Sequence, residues 1–218
     1  MSRILILRPQ PGADESAARA RAMGLEPVVA PLFTIRALDW TPPAPSGVDA
    51  VLLTSANAAR HGGDGMTPFL AMPCYAVGER TAREADRAGF ADVRTGPSDA
   101  AALLALARQD GARSLLHLCG RDHLDLAPVA SVAVYAADPS GTLPPDASRA
   151  LVLLHSPRAA ARFAMLAGER RGAFRIAAIS AQTAAAAGRG WKSVAIAEAP
   201  RDQALLELAA KLCQTAPR

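Results

Sequence analysis

Aromatic residues make up only 4% of this 218-residue chain. That leaves no row of rings on which bases could stack, so an aromatic-platform RNA binder is excluded. Cysteine is equally scarce. Cys74, Cys119 and Cys213 are odd in number and widely spaced, with no CxxC pair. A disulfide framework or a zinc site is unsupported, and a reducing cytosol fits best. No apolar run approaches the 18 residues of a membrane span. The first such run, Ile4 to Leu7, ends at Arg8-Pro9, too soon for a signal peptide. A soluble, cytoplasmic protein without a membrane partner is expected. The basic residues are scattered, with nothing longer than Arg170-Arg171. A nucleic-acid stripe is therefore not expected either.

Several chemical signatures are also missing. There is no GxGxxG, no GK[ST] after Gly62-Gly-Asp-Gly65, and no GxSxG. Dinucleotide binding, a P-loop and a serine hydrolase elbow lose their support, and the glycine cluster reads as a turn. His61, His117, His123 and His155 show neither HxH nor HExxH spacing, so no metal site is expected. His117 and His155 fall in strand-like runs and read as core or cleft-lining residues.

What is present is a large apolar fraction, 50%, and a formal charge of +4. The first affords a packed core. The second favours a polyanionic small molecule by steering. Short apolar runs alternate with helical stretches. Strands are expected at Ile4–Leu7, Pro27–Ile35 (interrupted by Pro31), Val48–Thr54, Cys74–Val77, Asp92–Thr95, Leu115–Cys119, Ser131–Ala136, Leu151–His155, Ile176–Ile179 and Val194–Ala197. Helices are expected over Ala13–Met23, after Ser55, over Arg80–Ala88, from Asp99 to about Arg108, after Ser156-Pro157, after Ser180, and over Asp202–Leu212. Proline-rich connectors follow at Thr41–Gly47 and Pro139–Pro145. This alternation predicts parallel sheets flanked by helices, an α/β fold.

The pattern runs twice. VLLTSANAAR at Val51 matches VLLHSPRAAA at Val152, YAVGERTA at Tyr75 matches AAISAQTA at Ala177, and PSDAAAL at Pro97 matches PRDQALL at Pro200. The spacing is 101 residues from Ser55 to Ser156, 102 from Thr81 to Thr183, and 103 from Asp99 to Asp202. Ordered motifs with so little drift point to an internal duplication. Each repeat sets hydroxyls at strand carboxyl ends: Ser55, Thr81, Ser156, Ser180 and Thr183. That edge is where open α/β sheets bind ligands, and helix N-termini there offer N–H groups to carboxylates. The plainer reading is that Ser55, Ser156 and Ser180 are N-caps, each contributing about 1 kcal/mol. Tyr135, on a strand before the second connector, is either a buried structural residue or a phenol able to donate a proton.

Taken together, the segments ILILRPQPGA, GLEPVVAPLFTI, TSANAAR, AVGERTAREADRAGFADV, HLCGRD, VAVYAA, HSPRAAARF, AAISAQTAAAA and AEAPRDQALLELA resemble the uroporphyrinogen-III synthase family, in order, from Ile4 to about Leu212. The resemblance implies two similar lobes joined by a two-stranded β linker, with a cleft between them. The lobes would be residues 1–36 with 140–218, and residues 37–139. It implies cyclisation of the linear tetrapyrrole hydroxymethylbilane, with inversion of its terminal ring, and no metal or organic cofactor. The partner would be that small polycarboxylate, and nothing in the sequence demands more than a monomer.

The resemblance also makes Tyr135 the candidate acid. Candidate substrate-binding positions are Arg8, Ser55, Gly78, Thr81, Gly120, Arg121, Ser156, Ser180 and Thr183. The second Gly-x-x-Thr turn departs from the family, with Ser180 in the glycine's place. The segments 60–73 and 120–131 are short, so the helices expected there should shrink to turns. The competing reading is a non-catalytic, two-lobed polycarboxylate binder.

Overall fold

The computed structural model describes residues 3–96, 99–123 and 125–214. Pro97 and Ser98, which open the third repeated motif, lie outside the described residues. The chain divides into two units, Met1–Thr34 with Asp138–Arg218, and Ile35–Ala137.

The first unit holds a five-stranded sheet. It contains β1 (Arg3–Ile6), β2 (Glu26–Val29), β9 (Leu151–Leu154), β10 (Arg175–Ala178) and β11 (Ser193–Ile196), in the order β11-β10-β9-β1-β2. Every neighbouring pair is parallel. Its helices are α1 (Gly12–Ala22), α5 (Pro157–Ala167), α6 (Ala181–Ala187) and α7 (Asp202–Gln214). Alternate strand residues separate the two faces. Ile4, Ile6, Leu151, Leu153 and Ala177 pack with Ala13, Ala17 and Ala20 of α1 and Leu205, Leu206 and Ala209 of α7. Alanine suits this place because small side chains let a helix lie close to a sheet. In the same unit Phe163 of α5 stacks on Trp191, with ring centroids 5.1 Å apart, and meets Phe174 edge-on.

The second sheet has six strands. They are β3 (Phe33–Ala37), β4 (Ala50–Leu53), β5 (Pro73–Val77), β6 (Asp92–Gly96), β7 (Leu115–Gly120) and β8 (Ala130–Pro139), in the order β3-β8-β7-β4-β5-β6. Helices α2 (Ala56–His61) and α3 (Gly78–Arg87) pack on one face, where Val51, Leu53, Cys74, Leu116 and Leu118 point. Helix α4 (Ala100–Gln109) packs on the other, over Ala50, Leu52, Tyr75 and Leu115. From β4 to β8 the neighbours are parallel. At β3 the direction reverses: the Leu38 N–H donates to the Val134 carbonyl, and the Ser140 N–H to the Leu32 carbonyl.

One expected element splits. Pro27–Ile35 reads as a single strand, but β2 and β3 belong to different sheets. Pro31 has no N–H to continue a ladder, so the run breaks there. The chain passes between the units in β3 and again in β8. The short segments behave as expected. Residues 63–69 form a 3₁₀ turn, and no helix forms among the described residues between β7 and β8.

Asp202 opens α7 and gathers the polar groups of the first unit. It accepts from Ser16 Oγ at 2.6 Å, from Arg19 Nε at 2.9 Å and from Arg8 at 3.2 Å, and His155 Nε2 lies 2.8 Å away. The His155, Ser16 and Arg19 contacts hold its carboxyl well below the usual range, against the opposing effect of burial. Removing one partner of such a cluster leaves the others unpaired and poorly solvated. Asp202→Ala should therefore lower stability by roughly 2–4 kcal/mol, read as a reduced urea midpoint. An unchanged midpoint would show the cluster to be stabilising nothing.

Candidate active site

In an open α/β sheet the ligand crevice forms where chain order reverses, beyond the strand carboxyl ends. In the 35–137 unit that point lies between β4 and β7, because the chain moves outward from β4 to β6 and then returns to β7. A cavity of about 400 Å³ sits there. Thr54, Ser55, Val77, His117, Gly120 and Tyr135 line it, and the carboxylates Asp99 and Asp122 stand at its wall. The volume falls within the usual range for small-molecule sites, ~300–1,000 Å³.

Tyr135 reaches the cavity because the strand carrying it is irregular. The β7–β8 register shifts after Cys119, so that Cys119 pairs with Ala133 but Gly120 with Tyr135. The extra residue is Val134, and both Val134 and Tyr135 then pack on the α2–α3 side. A bulge re-aims side chains in this way. The Tyr135 hydroxyl donates to Ser55 Oγ at 3.1 Å. Ser55 Oγ also accepts from the Asn57 N–H and caps α2, so the cap residue is also a cavity-lining one. Gly120 is needed for space. A Cβ there would lie 2.7 Å from Tyr135 Cζ and 2.9 Å from its hydroxyl.

Behind these residues lies a polar core. His117 on β7 is 1% exposed. Its Nε2 meets Thr54 Oγ1 at 2.8 Å and its Nδ1 meets Ser131 Oγ at 3.0 Å. His123, held by its Nδ1 on the Gly120 carbonyl, faces the His117 ring edge-on. Burial, with a smaller contribution from His123, pushes His117 down to about 4, so the imidazole is neutral at pH 7.

The other sequence candidates fall elsewhere. Gly78 opens α3 with φ +67°, a conformation that glycine adopts at no cost. The residue before it, Val77, lines the cavity and offers no capping side chain to α3. Thr81 is 5% exposed and Thr183 is fully buried. Thr183 Oγ1 lies 3.0 Å from Ser180 Oγ, the residue that caps α6. Ser156 and Ser180 cap α5 and α6 in the other unit. Arg8 is engaged by Ser16 at 3.1 Å and by Asp202 at 3.2 Å, within the first unit. Arg121 is exposed just beyond β7. His155 lies one residue past β9, at the carboxyl end where Asp202 binds it. The sequence reading left out Thr54, Asp99, Asp122 and His123. The one available signal was an imidazole inside the apolar run LLHLC.

The family model for uroporphyrinogen-III synthase HemD matches residues 14–207. The chain belongs to the uroporphyrinogen-III synthase family. Its function is accordingly that of an enzyme of tetrapyrrole synthesis acting on a small tetrapyrrole, and a binder without turnover is not favoured. Among solved structures, the uroporphyrinogen-III synthetase of Helicobacter pylori aligns over 97% of this chain and 100% of its own, at 17% identity and a TM-score of 0.65. A mutant uroporphyrinogen III synthase of Thermus thermophilus aligns over 99% and 100%, at 18% identity and a TM-score of 0.55. These likenesses support the α/β architecture. No curated protein sequence matches significantly.

Two outcomes follow for this candidate site. Gly120→Ala should drive the Tyr135 ring from Ser55 and cut turnover, with an unchanged melting profile; wild-type turnover would show that the close approach is not used. For pH, unfolded histidine near 6.5 takes a proton before folded His117 does. Stability is thus full above that value and falls as pH drops toward 4. The slope for this one group is at most about 1.4 kcal/mol per pH unit. His117→Phe should flatten part of the fall in urea midpoint between pH 7 and 4, and an identical profile would refute the assignment.

Proposed function

We propose that the chain is a hydro-lyase that closes hydroxymethylbilane to uroporphyrinogen III, with inversion of the terminal ring. The observation carrying this is the Tyr135 phenol, set over Gly120 and hydrogen-bonded to Ser55 inside the β4–β7 cavity. The reaction asks for little covalent help. A proton reaches the terminal hydroxyl and water leaves. The resulting carbon bonds the substituted α-carbon of the terminal ring, and that carbon's bond to the neighbouring methylene breaks. The methylene rebonds at the ring's free α-carbon, and the proton lost there returns to the acid. Tyr135 is placed to supply the first proton. Loss of the hydroxyl leaves a cationic, azafulvene-like centre, and the Asp99 and Asp122 carboxylates at the cavity wall suit a developing positive charge. Donors for substrate carboxylates are the N–H groups at the uncapped start of α3.

The harder demand is regiochemical. The linear substrate closes by itself without inversion, so the protein must hold the geometry in which inverted closure wins. That is catalysis by orientation. No step in this scheme calls for a metal or an organic cofactor. We read the enzyme as working in the cytoplasm as a monomer.

The test is direct. Purified protein is mixed with fresh hydroxymethylbilane, the products are oxidised, and the isomers are separated. Isomer III should exceed the protein-free blank, and a mixture equal to the blank would end the proposal. Tyr135→Phe should slow turnover roughly 10- to 100-fold, the lower reach of general-acid effects. Full turnover in that variant would remove Tyr135 from the mechanism.

A further inference from the structure

The two units differ at one core position in a way that packing does not require. The repeat aligns Leu52 with Leu153. Leu52 pairs with His117 across the β4–β7 ladder, and Leu153 pairs with Ile6 across the β9–β1 ladder. His117 therefore occupies the place that Ile6 holds in the other sheet. The next strand repeats the contrast: Ile6 pairs with Val29, and His117 with Ser131. In one unit this layer is apolar, and α1 covers it. In the other it is polar, and no helix among the described residues lies between β7 and β8 to cover it. The cavity opens at that uncovered place, and His117 lines it.

A buried imidazole in an apolar layer is costly unless both nitrogens are satisfied. Here both are, by Thr54 and Ser131. Each hydroxyl can donate or accept, so the ring can sit in either tautomer. Thr54 keeps a hydrogen-bonding valence for the cavity in both cases. When the imidazole donates to it, its hydrogen is free. When it donates to the imidazole, its lone pairs are free. The change costs no net charge, since the ring is neutral.

We propose that His117 is a positioning residue for ring inversion, holding the Thr54 hydroxyl against the reacting pyrrole ring of the substrate. As an acceptor, Thr54 meets the pyrrole N–H; as a donor, it meets the leaving hydroxyl or a ring carboxylate. This rests on the reading of the cavity as the site of closure. It adds that the Thr54–His117–Ser131 chain helps to choose which isomer forms.

The product ratio is read with enzyme in excess over hydroxymethylbilane, so that uncatalysed closure is negligible, and kcat and KM with substrate in excess, for wild type, His117→Phe, His117→Gln, Thr54→Val and the double variant Thr54→Val/His117→Phe. Wild type must give isomer III; if it does not, the functional reading fails and not this inference. His117→Phe should lower kcat roughly 10- to 100-fold, as a misplaced contact does, with KM little changed and a raised share of isomer I. His117→Gln, which restores a donor and an acceptor, should recover part of both. Thr54→Val should copy His117→Phe, and the double variant should be no worse than either alone. A purely structural histidine would reduce active protein yet leave the product wholly isomer III. That result, or wild-type kcat in His117→Phe, would overturn the proposal. Should His117→Phe fail to fold by circular dichroism, the product ratio of Thr54→Val decides in the same way.

Discussion

A parallel sheet buries both faces, so each face needs a helical cover. In the 35–137 unit no helix among the described residues covers the place where β7 leads to β8. The residues that would have packed under one cannot all be apolar, because that part of the sheet meets a cavity. His117 and Ser131 stand where the other unit has Ile6 and Val29, and the cost of placing them there is met by their mutual hydrogen bonds and by Thr54. The cavity, the bulge that turns Tyr135 and the glycine beneath its ring all gather at this uncovered end.

The duplication accounts for the frame but not for the chemistry. Asp99 and Asp202 are equivalent in sequence, and each stands at the start of its last helix. Asp202 is tied down by Arg8, Ser16, Arg19 and His155, and it binds its unit together. Asp99 caps α4 and stands at the cavity wall. Ser16 and Arg19 belong to α1, the helix with no counterpart after β7 among the described residues.

Stability and function share this region unequally. Gly120 yields its side chain so that a phenol can cross the end of β7. His117 is kept neutral by burial, which makes stability depend on pH in the mildly acid range while leaving the imidazole uncharged at pH 7. A site that offers hydroxyls and two carboxylates suits a substrate whose reacting centre becomes cationic.

Much was legible in the sequence. The β/α alternation, the duplication, the caps Ser55, Asp99, Ser156 and Ser180, and the shortened segments after Arg60 and Gly120 all rest on local rules of periodicity, capping and turn chemistry. Tyr135 and Ser55 could be named from position alone. Other features were hidden because they depend on partners far apart in the chain. Pro27–Ile35 reads as one strand until Pro31 is seen to divide two sheets. The fate of Arg8 depends on Asp202, nearly the whole chain away. The bulge at Val134 is a property of a pair of strands and not of either one. His117 looks like a stray polar residue until the ladders place Thr54 and Ser131 on its two nitrogens. The sequence alone determined the elements and their order, because neighbours along the chain decide those. Only the tertiary structure decided which side chains share the cavity, because that follows from strand register and from partners distant in the chain.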